Sequence, residues 1–196
     1  FVEKMEETEN GYCRVKLANE ISGFVPEVAL RKRLDSDRFL WGKSEERFFV
    51  EQGIPEGWSE EKFRRKVVEC AKGYLGCQYR WGGKAADGID CSGVVFMVYL
   101  MNGVLIWRDA DIREGYPMKA IWREGEEMCL VEEGAKAGDL LFWRGHVGMY
   151  LGDGRYLHCT GHERVFGCRV NSLRRGDEDF RKDLAEALKV VGSVFS

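Results

Sequence analysis

The 196-residue sequence predicts an α+β protein, and three observations carry that prediction. An apolar run from Val94 to Met101 follows directly on a glycine-rich loop, the pattern of a buried helix. Upstream, Phe63, Val67, Ala71 and Tyr74 recur at i, i+4, i+8 and i+11, one face of a second helix. From Leu140 onward, short apolar runs alternate with turn residues such as Gly152-Asp153-Gly154, as antiparallel strands do. Helices followed by a set of antiparallel strands make an α+β arrangement.

Composition narrows the function classes. Lys plus Arg number 30 against 33 Asp plus Glu, so the basic excess of a nucleic-acid-binding protein is missing. The longest apolar stretch, Cys91 to Trp107, is broken by Ser92, Gly93, Asn102 and Gly103. It also falls short of the ~20 residues that a membrane span needs. Seven cysteines (13, 70, 77, 91, 129, 159 and 168) form an odd set without a Cys-x-x-Cys pair. That spacing argues against a disulfide framework and against a zinc site, so neither a metal nor another cofactor is expected. Unpaired thiols lean towards a reducing, cytoplasmic compartment, with an exported or wall-associated protein as the alternative. Phe1 stands in place of methionine, so an upstream signal peptide stays open.

In chain order, residues 1–10 read as a polar lead-in, and 12–17 and 21–26 as short strands. The phrase G-F-V-P-E-V-A-L-R at 23–31 resembles the end of a bacterial SH3-like barrel, where a strand enters a short helical turn. Residues 1–33 are therefore a partial SH3-like β segment or, alternatively, an N-terminal hairpin packed on the main domain. Residues 34–58 are a linker with a short helix near 45–51, and 59–196 form the main domain. Ser59, followed by two acids, is a helix N-cap, and the helix runs over 60–74. Few signals mark 108–128, which wraps the surface. After a turn at 134–139, strands are expected at 140–143, 146–151, 155–160 and 165–170. A helix over 177–191 and a last short strand at 194–195 close the chain.

The residues that carry chemistry begin with Cys91, placed where the apolar helix starts. There the free N–H groups and the positive end of the helix dipole favour a thiolate, a competent nucleophile. A base is needed, and the sequence has three histidines, His146, His158 and His162. His146 and His158 bracket the Gly152-Asp153-Gly154 turn. A two-residue turn would put their rings on opposite faces. A three-residue turn with Gly154 left-handed pairs Gly148 with His158 and puts both rings on one face. The three-residue form is the expectation: His146 takes the thiol proton, and His158 holds its far nitrogen and sets its tautomer. His162, in a glycine-rich stretch, is expected in solvent. Cys159 alternates with His158, which speaks against a shared metal site. Arg108-Asp109 reads as a structural ion pair.

Y-R-W-G-G (79–83), G-I-D-C-S-G (88–93), W-R-D-A (107–110), A-G-D-L-L-F (137–142), H-V-G-M-Y-L-G-D-G (146–154) and Y-L-H (156–158) occur in this order. Together they resemble the NlpC family of papain-like cysteine peptidases, which cleave bacterial murein peptides. The resemblance implies a papain-like fold, with the cysteine helix packed on an antiparallel sheet. It implies Cys91 as nucleophile, His146 as base, His158 as third member and Tyr79 as an aid to the oxyanion. In subfamilies with an SH3-like domain, the positions of Asp90 and Ser92 hold the substrate's free amino end. Those subfamilies cut between D-glutamate and a diamino acid in stem peptides with free N-terminal L-alanine. Arg113 stands where many members have glutamine. The alternatives are a non-catalytic cell-wall peptide-binding module and a thiol acyltransferase of the same superfamily, whose members often carry histidine before cysteine.

Overall fold

A computed structural model describes residues 3–7, 10–16, 22–32, 54, 57–104, 106–110, 119–162 and 165–195. Two compact units divide the chain, Phe1–Phe49 and Val50–Ser196. The expected helix near 45–51 and Arg113 lie outside the described residues.

In the first unit, strands β1 (Glu3–Glu7), β2 (Tyr12–Lys16) and β3 (Ser22–Pro26) form an antiparallel sheet in that order. β3 runs into a 3₁₀ turn, Glu27–Ala29. Part of the expected lead-in is therefore strand β1. Its sequence E-K-M-E-E has no apolar alternation, so the period-2 signal was absent. The strand is held by backbone pairing as a charged sheet edge, where such composition is common. β2 alternates cleanly, burying Cys13 and Val15.

The second unit opens with α1 (Glu60–Lys72), whose N-cap Ser59 accepts a hydrogen bond from the Lys62 N–H at 3.2 Å. A small hairpin, β4 (Lys84–Ala85) and β5 (Gly88–Ile89), leads into α2 (Cys91–Met101). α2 is apolar on nearly every side because it is enclosed by α1 and the sheet. Then follow β6 (Lys119–Arg123), α3 (Cys129–Gly134), β7 (Leu140–Trp143), β8 (His146–Gly152), β9 (Arg155–Thr160), β10 (Gly167–Ser172), α4 (Lys182–Ala187) and β11 (Val190–Ser193). The strands make one antiparallel sheet, ordered β10-β9-β8-β7-β11-β6.

Both faces of that sheet are buried, which explains the unbroken apolar run in β7. Leu140 and Phe142 join Phe63, Val67, Val95 and Val98 of the two long helices. Leu141 and Trp143 point the other way, to Val131, Leu188 and Val191. This second layer revises three expectations. Residues 119–123 are an edge strand rather than surface wrapping. The long helix expected over 177–191 shortens to α4, because the β-branched Val190 and Val191 leave it to pair between β7 and β6. Val194 and Phe195 are not a strand; the Phe195 ring packs on Phe63, with centroids 5.5 Å apart. No helix among the described residues is long and apolar enough to cross a membrane.

Candidate active site

The loop before α2 is built around glycine. A Cβ on Gly93 would sit 2.3 Å from the Gly83 carbonyl oxygen, so the first turn of α2 lies directly against the Gly82-Gly83 turn. Asp90 caps the helix, its Oδ1 accepting from the Gly93 N–H at 2.7 Å, while Oδ2 accepts from the Gly82 N–H at 2.6 Å. Tyr79 bridges to Ile89 on the same loop, half-buried beside Cys91. Burial, with the neighbouring Cys91 and Asp90, pushes its phenol up, so Tyr79 remains a proton donor at neutral pH.

Cys91 occupies the first helical position, 8% exposed. The backbone N–H groups of Val147 and Ser92 point at its sulfur and favour the thiolate, but burial is the larger influence and pushes the thiol up; the Asp90 charge adds to it. The thiolate expected from the helix dipole alone is thus outweighed by desolvation. Val147 follows His146 at the start of β8, so the thiol is docked at the backbone beside that histidine.

His146 Nε2 lies 2.8 Å from His158 Nδ1. The two rings share a face, but the turn that achieves this differs from the expected one. Gly152 pairs with Arg155 across a two-residue turn in which Asp153 (φ 53°) and Gly154 (φ 74°) are both left-handed. Asp tolerates that conformation, and two left-handed residues match the twist of a hairpin. Leu151 is then bulged out, so Tyr150 pairs with Tyr156 and Gly148 with His158. The bulge shifts the register by one residue and brings the rings to one side.

Around the pair, Trp143 lies with its centroid 5.4 Å from that of His146, and Tyr156 5.2 Å from His158. Burial in this aromatic box pushes His146 down to about 3, with the charges of a protonated His158 and of Arg181 adding to it. Burial also pushes His158 down to about 4, partly countered by its hydrogen bond to Asn171. Both imidazoles are therefore neutral at pH 7. His158 Nε2 lies 3.0 Å from Asn171 Oδ1. The sequence does not mark Asn171, because only the cross-strand register brings it to His158. Arg169 faces His158 across the β9–β10 pair, which makes Asn171 its diagonal neighbour on the same face.

Asp90 and Ser92 are buried in a compact polar cluster. Arg108 Nη1 donates to Ser92 Oγ at 2.6 Å, and Nη2 donates to Asp90 Oδ2 at 3.2 Å and to the Gly83 carbonyl at 3.1 Å. The ion-pair partner of Arg108 is thus Asp90, at 3.1 Å, and not its sequence neighbour Asp109, which accepts from the Ala110 N–H. His162 is exposed. Cys159 turns away from His158 and donates to the Ile89 carbonyl at 3.1 Å. Among the described residues, no three His, Cys, Asp or Glu side chains converge as metal ligands do.

A model of the NlpC/P60 family matches residues 76–176, from the end of the first helical segment to beyond β10. The chain belongs to the NlpC/P60 family. Dipeptidyl-peptidase 6 of Lysinibacillus sphaericus is 44% identical to it over 139 residues, which are 70% of this chain and 47% of that protein. Gamma-D-glutamyl-L-lysine dipeptidyl-peptidase of Bacillus subtilis is 36% identical over 119 residues, 56% of this chain and 37% of that one. The chain thus spans less than half the length of these two relatives. A crystal structure of an NlpC/P60 family protein from Bacillus cereus has a TM-score of 0.55 at 21% identity, covering 100% of this chain and 54% of that one. At that identity the likeness concerns the fold, the NlpC/P60 version of the α+β papain-like architecture.

Proposed function

We propose that this chain is a cysteine peptidase that hydrolyses the amide between γ-linked D-glutamate and a diamino acid in murein stem peptides with a free N-terminal L-alanine. The carrying observation is the hydrogen-bonded His146–His158 pair, with the Cys91 sulfur, at the first position of a buried helix, held by the N–H of Val147, the residue after His146. Cys91 Sγ attacks the amide carbon as His146 takes its proton, so the pair need not be ionised beforehand. The backbone N–H of Cys91 and the Tyr79 hydroxyl stabilise the oxyanion. His146 then protonates the leaving amine, and water, deprotonated by the same ring, releases the acyl group from the thioester. The family membership and the names of the two relatives support the substrate class.

Asp90 and Ser92 are read as the groups that hold the substrate's amino end. A substrate ammonium there would share the Asp90 carboxylate with Arg108, and it would be recognised by that competition. Residues 1–33 are read as a partial SH3-like segment, 34–58 as a linker and 59–196 as the catalytic domain.

The test uses the full chain and the tripeptide L-alanyl-γ-D-glutamyl-diamino acid, with products identified by mass spectrometry. Cys91→Ala should abolish turnover, and retained turnover would overturn the mechanism. Acetylation of the alanine should sharply reduce kcat/KM. Unchanged cleavage of the acetylated peptide would remove Asp90 and Ser92 from recognition.

A further inference from the structure

Behind the two histidines lies a buried amide for which the mechanism above has no use. Asn171 sits in β10, buried, and both ends of its side chain are committed. Nδ2 donates to the backbone carbonyl of Asp179 at 2.8 Å, and a carbonyl can only accept. That bond fixes the orientation of the amide and leaves Oδ1 facing His158 Nε2 at 3.0 Å. The Asp179 carbonyl is itself held in place by the N–H of Ser172, the residue after Asn171, at 3.3 Å.

We infer that Asn171 is a positioning residue that sets the tautomers of both histidines in series from the backbone of Asp179. The inference rests on the peptidase reading given above. Oδ1 is an acceptor, so the proton of a neutral His158 sits on Nε2 and its Nδ1 is a bare lone pair. That lone pair faces His146 Nε2 at 2.8 Å, which must therefore carry the proton of the second ring. His146 Nδ1 is left unprotonated, the form that a general base requires. Each hydrogen bond dictates the next, and the series starts at a group that cannot titrate. A neutral histidine as third member gives no charge to hold its neighbour's tautomer, and Asn171 supplies that direction by geometry.

With three histidines in the chain, the protonation pattern can be read directly by long-range ¹H–¹⁵N correlation at pH 7 on uniformly ¹⁵N-labelled protein. His146 and His158 should both show a protonated Nε2 and a bare Nδ1. A protonated Nδ1 on His158 in the unmodified protein overturns the inference without any variant. In Asn171→Leu, which keeps the volume and removes the acceptor, His158 should become a mixture of tautomers. Its kcat on the tripeptide should fall roughly 10- to 100-fold, the scale at which losing a residue that orients a working histidine acts, with KM within about twofold. Unchanged tautomers and unchanged kcat in that variant overturn the inference as well. The NMR pattern does not depend on turnover and should persist in Cys91→Ala. Retained turnover in Cys91→Ala would therefore strike the peptidase reading, and a wrong tautomer would strike Asn171.

Discussion

Acid should destabilise the second unit between pH 8 and pH 5 through its two paired histidines. Burial holds His146 at about 3 and His158 at about 4, against 6.5 for an ordinary histidine. With both folded values depressed, the unfolded chain binds protons that the folded one refuses. Stability is thus complete above pH 6.5 and drains away as pH falls towards the folded values. Between pH 8 and pH 5 each ring would cost about 2 kcal/mol, so the pair costs about 4 kcal/mol, with nearly two protons taken up on unfolding. That is a large share of the roughly 5–15 kcal/mol that holds a domain together. The acids Glu60, Glu132 and Asp183 are pulled below their usual values by Arg64, Arg174 and Arg181, so their contributions are lost only at lower pH. Urea unfolding followed by tryptophan fluorescence at pH 8, 7, 6 and 5 measures the slope. A fall of less than about 1 kcal/mol across this window would refute the claim that both rings are held neutral in the folded chain.

Two further predictions concern the loop beneath Cys91. Gly93→Ala should lower stability by about 1–3 kcal/mol despite the better helix propensity of alanine, because its Cβ would meet the Gly83 carbonyl; a rise in Tm would contradict that packing. Arg108→Met should cost about 3–5 kcal/mol by leaving the Asp90 carboxylate buried without its cation. Combining it with Asp90→Asn should recover part of that loss, and strict additivity of the two substitutions in denaturant melts would show that they do not interact.

The parts of the fold legible in the sequence were those where one periodicity dominated. α1 has a capping serine and a clear apolar stripe, and β7 to β9 are bounded by turn residues. β1 and β6 were hidden for a common reason: each is an edge strand, paired along one side, and its composition answers to solvent as much as to the core. The end of the chain reads as one long helix because Leu184 and Leu188 keep helical spacing, whereas Val190 and Val191 belong to the sheet, a choice made only by the gap between β7 and β6. In the candidate site, the positions of Cys91 at a helix start and of His146 and His158 on one face were legible through local motifs and alternation. Asn171 and the Asp90–Arg108 pair were not, because cross-strand register and loop closure bring together residues 13 and 18 positions apart.

The bulge at Leu151 acts on the hairpin as a frameshift acts on a reading frame. Side chains on a strand alternate between two faces, and one supernumerary residue exchanges the faces for everything on its far side. The turn and the histidines accordingly lie in different frames, joined by a residue with no opposite number. If Leu151 were brought back into the ladder with the same two-residue turn, β9 would advance by one. Cys159, now turned towards α2, would then take the face of His146, and His158 would take the place of the thiol. The hairpin is therefore not an interchangeable connector: the parity of its residue count decides whether His146 meets an imidazole or a sulfur.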